Sequence, residues 1–307
     1  MTEIVDLAVV GCGPAGLTCG IYAARRGLKT ILFEKAACGG QMLYTQDIRN
    51  YPGFSRVSGS ELAELMKQQA VGEGVDYRMG EVEELILDGE SRKIVCGGQE
   101  YECRALVYAA GGDYRKLNAE GEEEYTGRGV SYCATCDGPL FRDKTVAVVG
   151  GGNSAAEEAL YLADIARKVY VIHRRNTFRC EQRRVEDMRE AGVEFILDAQ
   201  VKKFNGGGLL EELLLETPDG EKTVCVDGCF VSIGTVPASK LAAQAKVKVD
   251  DSGFIRVDES QETNIPGVFA AGDVTGGVMQ ISTAVGEGAT AALKAYEYIK
   301  NPYWTNG

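Results

Sequence analysis

Residues Leu7 to Gly16 read L-A-V-V-G-C-G-P-A-G, a short apolar run followed by a G-x-G-x-x-G pattern. An apolar run rich in β-branched residues predicts a buried parallel strand, and the glycines after it predict a tight turn that opens a helix. The first glycine permits the turn, the second lets the backbone approach a pyrophosphate, and the third lets helix and strand pack closely. The helix N-terminus offers N–H groups and a partial positive charge to phosphates. The stretch therefore predicts a dinucleotide-binding unit.

The same unit occurs a second time. Residues 146–155 read V-A-V-V-G-G-G-N-S-A, so that Gly150 takes the place of Gly11 and Ala155 that of Gly16. A single match to the glycine pattern is weak evidence, because ordinary turns also contain it. Two matches, each between a predicted strand and a predicted helix, favour two dinucleotide-binding domains in one chain.

The two copies differ at the residue that follows the next predicted strand. The first copy has Glu34 there, and a carboxylate accepts hydrogen bonds from a ribose diol. The second copy has His173, followed by a set of arginines that suits a 2′-phosphate: Arg174, Arg175 and Arg179. The alternatives are a solvated charge at a strand end and a solvated basic face. The sequence thus predicts one dinucleotide without a 2′-phosphate and one with it.

Turn and cap signals place other elements. After the second glycine turn, Asn153 or Ser154 is expected to cap a helix that runs to about residue 166. Ser60 is a plausible cap for a helix over residues 60–71. Short β-type runs between residues 82 and 107 alternate with turn signals and predict an antiparallel meander.

Residues 133–136 read C-A-T-C and are followed at once by Asp137 and Gly138. A C-x-x-C spacing closes a small, reducible disulfide ring or supplies half of a zinc site. Asp137 is the neighbouring candidate for the proton donor and acceptor that thiol–disulfide exchange requires, and its alternative role is that of a turn residue.

A zinc site would need a second pair of ligands. The sole histidine, His173, already belongs to the basic set, and Cys225 and Cys229 have the less suitable C-x-x-x-C spacing. Two inert buried thiols are a further alternative. We favour the redox interpretation over both, with no metal.

Composition limits the class of protein. A chain of 307 residues is expected to form about two domains, and its 45% hydrophobic and 25% charged residues are globular values. The net charge of −12 argues against nucleic acid or an anionic membrane as a partner. The acidic N-terminal residues become strand almost at once, which is unlike a signal peptide, and no apolar run approaches the ~20 residues of a membrane span.

The ten cysteines are scattered through the chain. Scattered cysteines in an α/β chain of this size favour reduced, buried thiols in a cytosolic protein. Cys12 lies inside the first glycine turn and Cys38 precedes Gly39. Both are expected to be packing residues.

These motifs together resemble the low-molecular-weight bacterial thioredoxin reductases of the pyridine nucleotide–disulfide oxidoreductase fold. The resemblance covers nearly the whole chain, and the cysteine pair just before the second nucleotide unit separates it from the glutathione reductase relatives. The landmarks, in family order, are residues 11–16 (GCGPAG), 39–41 (GGQ), 50–53 (NYPG), 108–112 (YAAGG), 133–138 (CATCDG), 150–159 (GGGNSAAEEA), 173–179 (HRRNTFR) and 267–274 (GVFAAGDV).

The resemblance implies an α/β fold of two Rossmann-like, three-layer dinucleotide-binding domains. The FAD-binding domain is expected to be discontinuous, over residues 1–116 and 246–307. The NADPH-binding domain, residues 117–245, would be inserted between these segments and would carry the redox disulfide.

The resemblance also implies roles for individual residues. Cys136 would face the flavin, Cys133 would attack thioredoxin, and Asp137 would handle protons. The expected FAD contacts are Gly11, Gly13, Pro14, Ala15, Gly16, Glu34, Lys35, Gly40, Gln41, Asn50, Gly111, Gly272, Asp273, Gln280 and Ile281. The expected NADPH contacts are Gly150, Gly152, Asn153, Ser154, Ala155, His173, Arg174, Arg175 and Arg179.

The activity implied is that of an NADPH-dependent flavoprotein disulfide reductase, with thioredoxin as partner, acting as a cytoplasmic homodimer. One departure stands out, because Met279 occupies a position where the family usually has Arg, after a loop that looks one residue short. It leaves open a reductase of the same fold with another donor or acceptor: ferredoxin, a glutaredoxin-like protein or a peroxidase partner. A flavin redox sensor without turnover is the other alternative.

Overall fold

The computed structural model describes residues 3–45, 47–89 and 91–300, and it divides the chain into two compact units. The first unit contains the chain up to Asp113 and from Val236 onward, and the second unit runs from Tyr114 to Thr235. The sequence places the return to the first unit at residue 246, whereas the structure places it at residue 236. Residues 1–2 and 301–307, which the sequence assigns to the first domain, lie outside the described residues.

The segment before the second unit alternates strands and helices and then continues as strands. Its elements are β1 (Glu3–Val10), α1 (Pro14–Arg25), β2 (Thr30–Glu34), a 3₁₀ turn (Gly40–Tyr44), α2 (Gly59–Gly72), β3 (Asp76–Met79), β4 (Val82–Ile86), β5 (Arg92–Cys96), β6 (Gln99–Tyr108) and β7 (Gly112–Tyr114).

The second unit begins with short elements and ends with a run of strands. It contains α3 (Glu122–Tyr125), β8 (Val130–Ser131), α4 (Ala134–Asp137), a 3₁₀ turn (Gly138–Phe141), β9 (Thr145–Val149), α5 (Asn153–Ala163), β10 (Lys168–Ile172), α6 (Gln182–Glu190), β11 (Glu194–Ile196), β12 (Gln200–Asn205), β13 (Glu212–Thr217), β14 (Gly220–Cys225) and β15 (Gly228–Val231).

The chain returns through β16 (Thr235–Pro237) and completes the first unit. The last elements are α7 (Lys240–Gln244), β17 (Val268–Ala270), a 3₁₀ turn (Asp273–Thr275) and α8 (Ile281–Lys300).

The first unit is built on a seven-stranded sheet with the order β3-β2-β1-β6-β5-β4, in which β17 also pairs with β6. Strands β3, β2, β1, β6 and β17 are parallel, while β4, β5 and β6 pair antiparallel. Apolar residues of α1, α2 and α8 cover one face of the sheet. The register sets Val10 opposite Phe33 on one side and Tyr108 on the other. Three strands therefore end at the edge where the first glycine turn begins.

The second unit contains a five-stranded parallel sheet with the order β11-β10-β9-β15-β8, and a separate antiparallel sheet β12-β13-β14. Val149, the last residue of β9, is in register with Ile172 of β10 and Val231 of β15. Here too, neighbouring parallel strands end beside a glycine turn, which is where open α/β sheets bind ligands.

The α/β prediction with two Rossmann-like units is confirmed, and so is the meander, as β4-β5-β6. The predicted caps are wrong. Helix α2 is capped by Ser58, whose hydroxyl accepts a hydrogen bond from the N–H of Glu61 at 3.2 Å. Helix α5 has Gly152 at its N-cap rather than Asn153 or Ser154. Within the described ranges of the chain, no helix has the length and apolar character that crossing a membrane requires.

Candidate active site: two glycine turns and a redox disulfide

The first glycine turn has the close backbone packing that its pattern predicts. The N–H of Gly11 donates to the carbonyl of Phe33 at 2.8 Å, and a Cβ on Gly11 would lie 2.3 Å from the carbonyl oxygen of Ala109. A Cβ on Gly16 would lie 1.9 Å from the carbonyl oxygen of Gly11, so the helix and the turn pack without side chains between them.

Gly13 differs from these two glycines because it faces open space. It is the N-cap of α1, with Pro14 at the first helical position, and apart from its own chain neighbours no described atom lies within 4 Å of where its Cβ would be. An open helix N-terminus offers unpaired N–H groups to an anion. The turn therefore has room for a pyrophosphate at the position predicted.

Glu34, at the end of β2, holds the turn in place. Its two carboxylate oxygens accept hydrogen bonds from the N–H of Cys12 at 2.8 Å and from the N–H of Ala36 at 3.0 Å. Each oxygen keeps a lone pair for another donor. The carboxylate can therefore both fix the turn and accept a ribose hydroxyl, whereas Lys35 beside it is exposed.

Three other segments of the first unit reach the same turn. A Cβ on Gly40 would lie 3.4 Å from Cα of Gly13. A Cβ on Gly272 would lie 2.9 Å from Cβ of Ala15, and one on Gly288 would lie 2.1 Å from the Ala15 carbonyl oxygen. The structure thus brings Gly40 and Gly272 to the predicted cradle and adds Gly288 of α8, which sequence reasoning missed.

Asp273 lies next to a second carboxyl group. The N–H of Gly272 donates to the carboxylate of Glu287 at 2.7 Å. Burial, and then the charge of Glu287, raise the pKa of Asp273 from 3.8 to about 6. Burial also raises the pKa of Glu287. Asp273 is therefore harder to ionise than an ordinary aspartate, and Glu287 is a further residue that the sequence did not indicate.

The remaining predicted FAD residues lie in the same unit in two further groups. The side-chain amide of Asn50 donates to Gln280 at 3.2 Å, although 230 positions separate them, and Gln280 directly precedes Ile281, the first residue of α8. Gln41 donates to the carbonyl of Gly112 at 2.9 Å and to Asp113 at 2.8 Å, just after Gly111.

The second glycine turn repeats the geometry of the first. The N–H of Gly150 donates to the carbonyl of Ile172 at 3.1 Å, and its Cβ would lie 2.3 Å from the carbonyl oxygen of Ser232. Gly152 is the N-cap of α5, and its Cβ would meet no described atom within 4 Å. Asn153 and Ser154 are exposed at the start of this helix, and Ala155 is buried.

The basic segment is attached to this turn by its backbone. The N–H of Arg179 donates to the carbonyl of Gly151 at 2.7 Å, and the side chain of Asn153 accepts a hydrogen bond from the N–H of Glu181 at 3.2 Å. The side chains of Arg174, Arg175 and Arg179 are exposed. Three cations therefore lie on a segment that is held beside the open helix N-terminus.

His173 is placed differently from the arginines with which the sequence groups it. Its side chain is buried and stacks on Phe178, with 5.6 Å between ring centroids. Burial lowers the pKa of His173 below 6.5; a backbone hydrogen bond with Thr177 opposes this shift, and the charges of the nearby arginines add to it. The imidazole is therefore neutral at pH 7 and adds no charge to the basic segment.

Cys133 and Cys136 form a disulfide at the start of the short helix α4. Ser131 connects this pair to Asp137, because its hydroxyl donates to the Asp137 carboxylate at 2.6 Å and accepts from the N–H of Cys133 at 3.1 Å. Asp137 is thus positioned by a hydroxyl that also fixes the backbone of the disulfide. Sequence reasoning named Asp137 but missed Ser131.

Glu158 of α5 is a second carboxyl group near the disulfide. Burial raises its pKa from 4.5 to about 7, while hydrogen bonds from Ser232 and from the backbone of Ala134 lower it in part. Ala134 is the residue after Cys133. The run of two glutamates in GGGNSAAEEA was the available signal for this residue, but sequence alone did not show which of the two is buried.

The other cysteines include a correction. Cys12 and Cys38, expected to be packing residues, form a second disulfide. The cysteines without a disulfide are Cys19, Cys96, Cys103, Cys180, Cys225 and Cys229. Among the residues with described positions, no group of three or more His, Cys, Asp or Glu side chains could hold a metal ion.

The family model described as pyridine nucleotide-disulphide oxidoreductase matches residues 5–288, which is most of the chain. The chain belongs to this family. It is 40% identical to the thioredoxin reductase of Listeria monocytogenes over 304 residues, covering 97% of this chain and 95% of that protein. It is also 40% identical to the thioredoxin reductase of Bacillus subtilis over 306 residues, covering 97% and 96% of the two chains. The crystal structure of thioredoxin reductase from Streptococcus pyogenes superposes with a TM-score of 0.93 at 39% identity, covering 98% of this chain and 99% of that one.

Membership of the pyridine nucleotide-disulphide oxidoreductases gives the chain FAD and NADPH as cofactors, and its residues suit both. Each unit has a glycine turn with an open helix N-terminus, as a pyrophosphate requires. A carboxylate follows the first turn and exposed arginines follow the second, which matches a ribose diol in one unit and a 2′-phosphate in the other.

Proposed function

We propose that the chain is an NADPH-dependent thioredoxin reductase whose first unit binds FAD and whose second unit binds NADPH. The observation that carries the proposal is the Cys133–Cys136 disulfide, held by Ser131 next to Asp137 in the unit that contains the second glycine turn. A reducible disulfide with an adjacent acid–base group is what dithiol transfer to a partner protein requires.

The cofactor contacts follow from the two turns. Gly11, Gly13 and Gly16 would hold the FAD pyrophosphate and Glu34 its ribose, and Asn50 and Gln280 belong to the same proposed site with Asp273. In the second unit, Gly150, Gly152 and Ala155 would hold the NADPH pyrophosphate. Arg174, Arg175 and Arg179 would bind the 2′-phosphate, with the neutral, buried His173 at the start of this segment.

When bound, NADPH and FAD supply the two electrons that open the Cys133–Cys136 disulfide. The thiolate of Cys133 then attacks the disulfide of thioredoxin, and Cys136 attacks the resulting mixed disulfide and releases reduced thioredoxin. One disulfide is broken and one is formed, and the two protons of the enzyme dithiol pass to thioredoxin. Asp137 would take up and return these protons, with Ser131 fixing its carboxylate.

The decisive experiment is anaerobic titration of the yellow protein with NADPH, followed by addition of oxidised thioredoxin. We expect NADPH to bleach the flavin and thioredoxin to be reduced in stoichiometric amount. Cys133→Ser and Cys136→Ser should keep the bleaching by NADPH and lose the transfer to thioredoxin. A colourless protein, or thioredoxin reduction by both variants, would refute the proposal.

Asp137→Asn provides a test of the proton-handling role. We expect the thiol steps to slow by about 10²- to 10⁴-fold, which is the usual contribution of a general acid–base group, while flavin reduction by NADPH keeps its rate. Ser131→Ala should slow the same steps less, because Asp137 remains but loses one hydrogen bond. Stopped-flow spectra resolve the two phases, and a slower flavin reduction in Asp137→Asn would mean that Asp137 is structural.

We also propose a homodimer in the cytoplasm. Helices α1 and α2 of the first unit expose large apolar side chains, Tyr22 at 43%, Leu65 at 43% and Val71 at 49%. A groove on this unit has a mixed apolar and polar lining: Ile21, Tyr22, Arg25, Arg26, Gln69 and Leu293. Exposed apolar side chains on these two helices favour an interaction between copies of the chain. Light scattering after size exclusion should give twice the mass of one chain, and Tyr22→Glu should lower this mass towards that of one chain. Cell fractionation tests the proposed location in the cytoplasm.

The alternatives that the sequence left open, including the one suggested by Met279, are not retained. Relatives aligned over almost the whole chain are thioredoxin reductases, and the exposed arginines of the second unit suit NADPH. A ferredoxin donor, a glutaredoxin-like or peroxidase partner, and a sensor without turnover are therefore not favoured.

A further inference from the structure

A second disulfide lies within the first glycine turn. Cys12 occupies the variable position between Gly11 and Gly13 and is fully buried, while Cys38, 26 positions later, is half-buried. The disulfide joins the turn before α1 to the segment after β2, and both segments belong to the first unit. The dithiol transfer described above makes no use of this pair.

The two segments are also joined by hydrogen bonds around the disulfide. The N–H of Cys12 donates to Glu34 at 2.8 Å, and the N–H of Gly39 donates to the carbonyl of Cys12 at 2.8 Å. One residue further on, a Cβ on Gly40 would lie 3.4 Å from Cα of Gly13. The disulfide is therefore the covalent part of a clamp that fixes the walls of the proposed pyrophosphate cradle relative to each other.

We propose that Cys12 and Cys38 form a second thiol–disulfide couple, whose redox state determines how tightly the first glycine turn holds FAD. This inference rests on the proposed function, because it takes this turn to be the FAD site. The disulfide form fixes the cradle before the cofactor enters. Less conformational entropy is therefore lost when the cofactor binds. Reduction removes the covalent link and leaves the hydrogen bonds and apolar packing to hold the two segments together.

The couple changes state by exchange with a dithiol protein, such as the reduced thioredoxin that the proposed reaction produces. A thiolate of that protein attacks Sγ of Cys38, the more accessible sulfur, and the bond to Cys12 breaks. Cys12, buried just before the twelve-residue helix α1, leaves as the thiolate and is then protonated. The second thiol of the partner then attacks the mixed disulfide. One disulfide is lost and one gained, and two protons pass to Cys12 and Cys38.

Thermodynamic linkage relates two measurable quantities, the affinity for FAD and the ease with which the disulfide is reduced. If the disulfide form binds FAD more tightly by some factor, then FAD makes the disulfide harder to reduce by the same factor. Couplings of this kind are typically about 5- to 150-fold. We expect the FAD dissociation constant to rise by a factor in this range on reduction.

The thiol count is best made in a variant that carries both Cys133→Ser and Cys136→Ser. Of the ten cysteines, eight remain in this variant. Alkylation after unfolding without reductant should then modify six thiols, and treatment with dithiothreitol should raise the number to eight. Adding Cys38→Ala should give seven thiols before reduction, because Cys12 is released. Adding Cys180→Ala, which removes another half-buried cysteine outside any disulfide, should give five. Eight thiols before reduction would overturn the inference.

FAD affinity is measured by flavin fluorescence on the same variants after removal of the cofactor. Without the Cys133–Cys136 pair, dithiothreitol has no route to the flavin through the redox disulfide. We expect weaker FAD binding after dithiothreitol in the parent and in Cys180→Ala, and weak binding insensitive to dithiothreitol in Cys38→Ala. Equal FAD affinity before and after reduction would overturn the inference and leave the reductase function intact. Failure to bind FAD in any state would instead overturn the proposed function, and the inference with it.

Discussion

Glu158 is a carboxyl group whose charge is set by burial beside the redox disulfide. Its pKa of about 7 means that it carries a proton in a large share of molecules at neutral pH. The backbone of Ala134 hydrogen-bonds to this carboxyl group, and Ala134 belongs to the C-x-x-C segment. The charge of Glu158 therefore lies close to the disulfide. The exposed neighbour Glu157 instead pairs with Arg184 at 2.8 Å.

Glu158 should make stability depend on pH in a definite direction. Between about pH 4.5 and pH 7 the folded protein binds more protons at this group than the unfolded chain, so its contribution to the free energy of unfolding falls as pH rises. Glu158→Gln copies the protonated form and should remove this pH dependence. In wild type, the contribution of Glu158 to the free energy of unfolding falls by up to about 3 kcal/mol across this pH range. Urea unfolding at a series of pH values measures how the free energy of unfolding depends on pH. Glu157→Gln is the matched control and should keep most of the slope, because the charge of Glu157 is the smallest of the effects on Glu158. Equal slopes in wild type and Glu158→Gln would contradict the assignment.

Arg174 and Arg175 are the residues whose charge should distinguish the two nicotinamide cofactors. Changing both to Ala should weaken NADPH binding by about 1.5–3 kcal/mol for each charged hydrogen bond lost, while NADH binding changes little. Flavin-reduction kinetics with both cofactors measure the ratio. Arg183→Ala, an exposed arginine on α6 outside the predicted set, is the control. Equal losses for NADPH and NADH would mean that neither arginine contacts a 2′-phosphate.

Single residues also show where sequence reasoning ends. The repeat aligns His173 with Glu34 of the first copy, and His173 directly precedes Arg174 and Arg175. The sequence therefore groups His173 with the arginines. Its charge depends on the stacking of Phe178 over the ring and on burial, and these depend on packing rather than on position. The Cys12–Cys38 disulfide was missed for the same reason, since it requires the loops after β1 and β2 to meet.

At the scale of the elements, helices α1 and α5 both have glycine at the N-cap position, although polar N-cap residues are the stronger helix signal. The sequence correctly indicated both helices, because the apolar run and the glycines define a strand, a turn and a helix, although α5 ends at Ala163 rather than near residue 166. It misplaced the cap of α5, because cap propensity favours Asn153 or Ser154 over Gly152. A helix that opens on a phosphate needs an uncovered N-terminus more than it needs a side-chain cap.

The two glycines of the second turn should respond differently to the same substitution. Gly152→Ala adds a Cβ into open space, so it should leave the melting temperature nearly unchanged. It should weaken NADPH binding, because the proposed pyrophosphate would occupy the same space. Gly150→Ala should instead lower the melting temperature, because its Cβ would lie 2.3 Å from the carbonyl oxygen of Ser232. Thermal unfolding and NADPH titration separate the effects. Unchanged NADPH affinity in Gly152→Ala would argue against a pyrophosphate at this turn.

At the scale of the whole molecule, the sequence indicated the number and type of units because the nucleotide-binding pattern occurs twice. It placed the return to the first unit at residue 246, and the structure places it at residue 236. The segment between these positions contains α7, whose Ala242 is 1% exposed and packs in an apolar cluster of the first unit. A short amphipathic helix would have the same local pattern in either unit, so its sequence does not reveal which core it joins.

The second unit should fold on its own when it is cut at the boundaries that the structure gives. The fragment Tyr114–Thr235 contains its own parallel sheet and two apolar clusters formed entirely within it. We expect it to unfold cooperatively, to bind NADPH and to be colourless. A fragment of residues 117–245 is the matched control. It retains α7 without the first-unit core that buries Ala242, so it should expose apolar surface and aggregate more readily. Calorimetry and light scattering compare the two. If the 117–245 fragment were the more stable and soluble one, α7 would belong to the second unit, and the boundary at residue 236 would be incorrect.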